Sequence, residues 1–115
     1  MTPQQRQEFS KLGLSARWAP RTKQDVRIGS RLKATFAKAI HEAVDTMFYG
    51  FAKGGGPRVL VIHQGDARLM EPGSKDCRIQ QQRFPGSIIG TYDNRATRGQ
   101  VMDDIAEICD RLHSV

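Results

Sequence analysis

The sequence lacks the features of a secreted, disulfide-stabilised or membrane-embedded protein. Only two of its 115 residues are cysteines, Cys77 and Cys109, and they form no CxxC pair. Two cysteines are too few for a disulfide framework or a zinc knuckle, so we interpret both as reduced residues of the core. No apolar run approaches the roughly 18 residues of a membrane span, and the first residues do not resemble a signal peptide. We therefore expect a cytoplasmic protein that does not enter a membrane.

Aromatic residues are also scarce, at 7%, whereas charged residues make up 26% and the net charge is +6. The charge is unevenly distributed along the chain. Residues 1–53 contain ten Lys or Arg against four Asp or Glu, whereas residues 54–115 contain eight of each kind. An excess of positive charge in one half indicates a localised basic surface and an acidic partner, either nucleic acid or an acidic protein.

One long amphipathic helix is predicted from Thr22 to Tyr49. Apolar residues recur along it at helical spacing from Ile28 to Met47, as a buried helical face requires. The opposite side carries a row of cations that continues upstream of the helix, and we call this set the basic stripe: Arg17, Arg21, Lys23, Arg27, Arg31 and Lys38. The apolar face is broad enough to pack partly against a second copy, so a homodimer is compatible with the pattern.

The chain length predicts a single domain over residues 1–115, with a basic helical part at 1–50 and a sheet with a C-terminal helix at 57–115. A short helix from Pro3 to Lys11 is expected before the long one. After the glycines at 54–56, the pattern predicts four strands: Arg58–Gln64, Ala67–Glu71, Cys77–Phe84 and Ser87–Tyr92. The first strand lacks polar alternation, which is typical of a central strand covered on both faces.

Two local signals refine this prediction. Gly65–Asp66 is expected to form the turn of a hairpin between the first two strands. Thr97 and Gln100 have the spacing of a capping box, which would begin a final helix from about Arg98 to Leu112. The expected fold class is α+β, with two N-terminal helices, the second one long, a four-stranded, mainly antiparallel sheet, and a C-terminal helix packed on one face.

The basic stripe is the main functional signal in the sequence. A row of cations on one helix face can follow phosphates without reading bases, so we expect a small basic binding protein, not an enzyme, with nucleic acid as its partner. Trp18, Tyr49 and Phe51 would supply stacking surfaces near the ends of the stripe. Two alternatives remain open: a regulator or inhibitor that binds an acidic protein surface, and a solvated face that only maintains solubility.

A third alternative is a metal-dependent nuclease that uses His63 and Asp66, with Asp93 as a further carboxylate. The first two residues flank the predicted hairpin turn, where imidazole and carboxylate groups could hold a divalent ion. Against this interpretation, Gly-Asp is a common hairpin turn, and no second histidine or carboxylate stands at ligand spacing on the same element. No catalytic residue, metal or cofactor is therefore expected.

Overall fold

The computed structural model describes Lys23, Gln24, Ile28 and residues 32–113. Between residues 32 and 113 the elements follow one another as helix, two strands, helix, strand and helix, and the fold class is α+β. Their bounds are α1 Ala34–Ala52, β1 Arg58–His63, β2 Asp66–Met70, α2 Lys75–Arg83, a 3-10 turn at Pro85–Ser87, β3 Ile88–Tyr92 and α3 Arg98–His113. Within these described ranges, no helix has both the length and the apolar character that crossing a membrane would require.

The three strands form an antiparallel sheet in the order β2-β1-β3, with β1 in the centre. Four consecutive residues of β1, from Val59 to Ile62, are buried, and this confirms the expectation of a central strand covered on both faces. Because side chains alternate along a strand, these four residues supply two different cores. Leu60 and Ile62 pack with α1 and α3, whereas Val59 and Val61 pack with Cys77 of α2.

The predicted strand at Cys77–Phe84 is wrong, because this segment forms helix α2 at Lys75–Arg83 and the sheet has three strands in the described part of the chain. Ser74 caps the helix, since its hydroxyl accepts a hydrogen bond from the Cys77 amide at 3.2 Å. Cys77 and Gln80, three positions apart, are the buried residues of α2. Its glutamines and arginines also favour helix over strand, a preference that outweighs the apparent alternation of polar residues.

The prediction of one continuous helix from Thr22 to Tyr49 is also wrong. Lys23, Gln24 and Ile28 are helical, but Leu32 lies in a bend and Lys33 has an extended backbone, with φ −59° and ψ 147°. Helix α1 begins only at Ala34 and continues to Ala52. The preceding Gly29-Ser30 pair has low helix propensity, which accounts for a break near this point. The first predicted helix, Pro3–Lys11, lies outside the described residues.

The hairpin between β1 and β2 turns one residue earlier than expected. His63 pairs with Asp66, so Gln64 and Gly65 form the two-residue turn. Both residues have positive φ, 52° and 79° respectively, which is the conformation of a type I′ turn. Asp66 is therefore the first residue of β2 and not part of the turn.

Polar side chains join α3 to the rest of the fold. The predicted capping box is confirmed, because the Thr97 amide donates to Gln100 Oε1 at 3.0 Å and the Gln100 amide donates to Thr97 Oγ1 at 3.2 Å. Arg98 forms an ion pair with Asp45 of α1, with 2.6 Å between Nη1 and Oδ1. The Tyr92 hydroxyl donates to Asp104 at 2.6 Å, and burial together with this carboxylate raises the pKa of Tyr92.

The ring of Tyr92 lies next to Gly90, and its hydroxyl bonds to Asp104. The contact between the ring and Gly90 gives a stability prediction. A Cβ at Gly90 would lie 2.9 Å from the Tyr92 hydroxyl oxygen and 3.0 Å from ring atom Cζ. We expect Gly90→Ala to lower the free energy of unfolding by about 1–3 kcal/mol in urea denaturation, because the ring must shift away from Asp104.

Gly99→Ala is the matched control, because no atom lies within 4 Å of a Cβ added there. It replaces glycine in the first turn of α3 and should raise the free energy of unfolding by about 0.5–1 kcal/mol. A second control is the Tyr92→Ala background, in which Gly90→Ala should no longer lower the free energy of unfolding. An equal decrease with and without the Tyr92 ring would contradict the proposed contact.

Candidate functional site

The described part of the chain includes two residues of the basic stripe, Lys23 and Lys38, and both are exposed. The other four, Arg17, Arg21, Arg27 and Arg31, lie outside it. Lys38 has its ammonium nitrogen 3.6 Å from the carboxylate of Glu42, one turn further along α1. The extended backbone at Lys33 separates the two described residues, so the single helical register that aligned the stripe does not continue from Lys23 to Lys38.

The structure does not bring His63, Asp66 and Asp93 together as a metal site. Asp66 accepts a hydrogen bond from the Ala67 amide at 2.9 Å and forms an ion pair with Arg68 at 3.2 Å. Asp93 follows β3, whose last residue Tyr92 pairs with the first residue of β1. His63 is the last residue of β1, roughly 16 Å along the strand from that pair.

Arg95 forms an ion pair with the carboxylate of Asp93, with 2.8 Å between Nη2 and Oδ2. Hydrogen bonds from its guanidinium and its backbone amide hold the pKa of Asp93 below the usual range. Within the described ranges, no cluster of three or more His, Cys, Asp or Glu residues could hold a metal ion.

Of the three predicted stacking residues, Trp18 lies outside the described part of the chain. Phe51 is buried in the main core and is not available for stacking. Tyr49 is 66% exposed, and the ammonium group of Lys53 lies 5.4 Å from the centre of its ring. The prediction is therefore wrong for Phe51, whereas Tyr49 presents an open ring beside a cation.

A cleft of about 450 Å³ opens where the β1–β2 hairpin meets the segment after α2. We call it the His63 cleft, and it is lined by Phe36, Ile62, His63, Gln64, Gly65, Phe84, Gly86 and Ser87. Three of these residues have aromatic or heteroaromatic rings. The rings of His63 and Phe84 are in contact, with their centres 4.2 Å apart and their planes inclined by 35°.

The wall of the cleft that contains Phe84 is held by buried hydrogen bonds. The Gln80 side chain donates to the Ser87 hydroxyl at 2.8 Å, and that hydroxyl donates to the Phe84 carbonyl at 2.6 Å. The Phe84 amide donates to the Gln80 carbonyl at 2.8 Å. This small network explains why a glutamine is buried in α2, and it fixes the backbone that carries the Phe84 ring.

His63 lines the cleft and contains an unsatisfied polar atom. Its Nε2 is buried and has no hydrogen-bond partner in the described part of the structure. A buried polar atom without a partner costs free energy, and such groups are uncommon in folded proteins. Since an imidazole nitrogen can donate or accept, a bound molecule with a polar edge could satisfy it once the ring turns toward the cleft.

Helix α2, which ends next to Phe84 of this cleft, contains three cations: Lys75, Arg78 and Arg83. All three are exposed, and their side chains form no ion pair or hydrogen bond within the described ranges. Asp76, the one acidic residue of α2, is exposed as well. Of the other described cations, Lys38, Arg68, Arg95 and Arg98 have carboxylate partners. Lys53 instead lies against the Tyr49 ring, and Arg58 donates to backbone carbonyls.

Sequence patterns alone did not single out α2 or Phe84 as functional. The sequence pattern predicts a strand for this segment, with Phe84 at its end, and so it indicates neither the exposed cations nor the ring contact. The cleft joins residues from α1, the hairpin and the end of α2, which are distant in the chain. A capping serine before a polar, glutamine-rich segment was the available signal for the helix itself.

The Gln80–Ser87 network gives a prediction for the cleft wall. Ser87→Ala leaves the buried Gln80 amide without its partner, so we expect the free energy of unfolding to fall by about 1–3 kcal/mol in urea denaturation. Adding Gln80→Met removes the stranded amide and should recover most of the loss. Gln82→Ala, at an exposed position of the same helix, is the control and should change little. A Ser87→Ala variant as stable as the parent would contradict this role of the network.

No family model, curated protein or solved structure matches the chain. The functional proposal therefore depends on the His63 cleft, on the cations of α2 and on the charge pattern of the sequence.

Proposed function

We propose that this protein binds nucleic acid through exposed cations that have no internal carboxylate partner. The observation that carries the proposal is the group of three cations on one short helix, α2. Within the described part of the chain Lys75, Arg78 and Arg83 are exposed and unpaired, whereas Arg68 and Arg95 are neutralised by neighbouring aspartates. Unpaired cations release counterions from phosphates when they bind, and this is the main source of affinity in non-specific nucleic-acid binding.

The overall charge supports the same proposal. Residues 32–113 contain eleven Lys or Arg against ten Asp or Glu, so this part of the chain is nearly neutral. Residues 1–31 contain seven Lys or Arg against two Asp or Glu. The residues of the basic stripe, Arg17, Arg21, Lys23, Arg27, Arg31 and Lys38, remain predicted phosphate contacts in addition to those of α2.

The exposed surface of α2 favours nucleic acid over an acidic protein as the partner. Protein interfaces usually depend on a few large apolar or aromatic anchors at their centre. Between Lys75 and Arg83 the one large apolar side chain that is exposed is Ile79, at 37%; the ring of Phe84 follows at the end of the helix, at 42%. The remaining exposed residues of the helix are charged or are glutamines, which suits a polyanion surrounded by water.

The salt dependence of binding tests this proposal. We expect the parent protein to bind a labelled oligonucleotide at low salt, with log K falling as log salt rises. Replacing Lys75, Arg78 and Arg83 together by glutamine should reduce the slope by roughly 2 units, because each lost phosphate contact contributes about 0.7–0.9. Fluorescence anisotropy over a salt series provides the measurement.

The double variant Arg68→Gln and Arg95→Gln is the matched control, because it removes charges that are already paired. Its slope should change much less than that of the α2 variant. No binding by the parent at low salt, or an unchanged slope in the α2 variant, would refute the proposal for α2. A stoichiometric acidic protein retained from nuclease-treated lysate, with no nucleic-acid binding, would favour the regulator instead.

A further inference from the structure

We infer that the His63 cleft holds an unstacked base, and that the protein therefore prefers single-stranded to double-stranded nucleic acid. This inference depends on the proposed function and specifies the kind of nucleic acid. It follows from three features: an open aromatic wall, a buried nitrogen without a partner in the His63 ring, and unpaired cations on the helix that ends next to Phe84.

The aromatic wall has the size and shape for a planar ring. Phe84 is 42% exposed although it is a large apolar residue, and its ring already contacts the imidazole of His63. Phe36 of α1 lines the same cleft, whose volume of about 450 Å³ is ample for one base. Exposed aromatic rings bind successive bases of single strands by stacking, because every base has a flat π-face.

The buried nitrogen argues for a ligand with a polar edge. An aliphatic chain could fill the cleft, but it would leave His63 Nε2 without a hydrogen-bond partner. A base offers ring nitrogens, carbonyls and amino groups along its edge, and any of these can bond to an imidazole nitrogen. A base therefore matches the flat apolar surface, and its edge can bond to Nε2 when the imidazole turns toward the cleft.

The cations of α2 are suited to bind the phosphates of the nucleotide whose base enters the cleft. Arg83 directly precedes Phe84, and Arg78 lies further back along α2; both are exposed and unpaired in the described part of the chain. A strand whose base enters the cleft at Phe84 would bring a phosphate toward the neighbouring Arg83. In a duplex the bases are stacked and paired, so they could reach the Phe84 ring only after the duplex opened.

The test compares a labelled oligothymidylate with a labelled duplex of equal length, by fluorescence anisotropy in the same low-salt buffer. We expect the parent to bind the single strand more tightly than the duplex. Phe84→Ala should weaken single-strand binding about tenfold by removing the stacking surface, and should leave duplex binding unchanged. Phe84→Trp, which retains an aromatic ring, should keep the preference, and circular dichroism checks that each variant is folded.

Ile79→Ala is the matched control, because it removes an exposed apolar side chain from α2 that does not line the cleft. It should leave both affinities unchanged. Equal binding of single strand and duplex by the parent would overturn the inference while the proposed function stands. Equal weakening of both ligands by Phe84→Ala, or no weakening of either, would overturn it too. Failure of the parent to bind either ligand would instead refute the proposed function.

Discussion

Burial of β1 on both faces is the constraint on which the rest of the structure depends. Val59, Leu60, Val61 and Ile62 are almost inaccessible, so apolar cover is needed above and below the sheet. Helices α1 and α3 supply it on one face, and α2 supplies it on the other. The burial ends at His63, whose polar ring lies at the edge of the core. The cleft therefore lies at the point where the central strand leaves its apolar surroundings.

The same constraint explains why α2 is suited to binding. It covers the sheet with one narrow side, on which Cys77 and Gln80 are buried, and so leaves most of its surface exposed. The cations on that surface are not needed for the core and have no partners among the described residues. Gln80 reaches Ser87 at the end of the helix, and Ser87 holds the backbone of Phe84. One short helix, α2, therefore packs against β1, exposes the cations and positions the Phe84 ring.

Much of the fold could be predicted from local patterns. The unbroken apolar run of β1 and the Thr97–Gln100 capping box were correct because each depends on neighbouring residues. The strand predicted after Ser74 was wrong because a short polar run with isolated Cys77 and Ile79 fits both the helical period and the strand period. Helix propensity decided between them. The site was less predictable. A continuous helical register through Lys33 predicts the wrong position of Lys38 relative to Lys23. The cleft depends on contacts between segments that are distant in the chain.

We propose that α2 and the His63 cleft together form the binding surface for a single strand. Chemical-shift mapping of the amide groups during titration with an unlabelled oligothymidylate tests this most directly. We expect the largest shifts at Gln64 and Gly65 of the hairpin and along residues 75–87, with little change on the acidic surface of α3 around Glu107. Shifts confined to residues outside the hairpin and α2, in a protein that binds the strand, would contradict it.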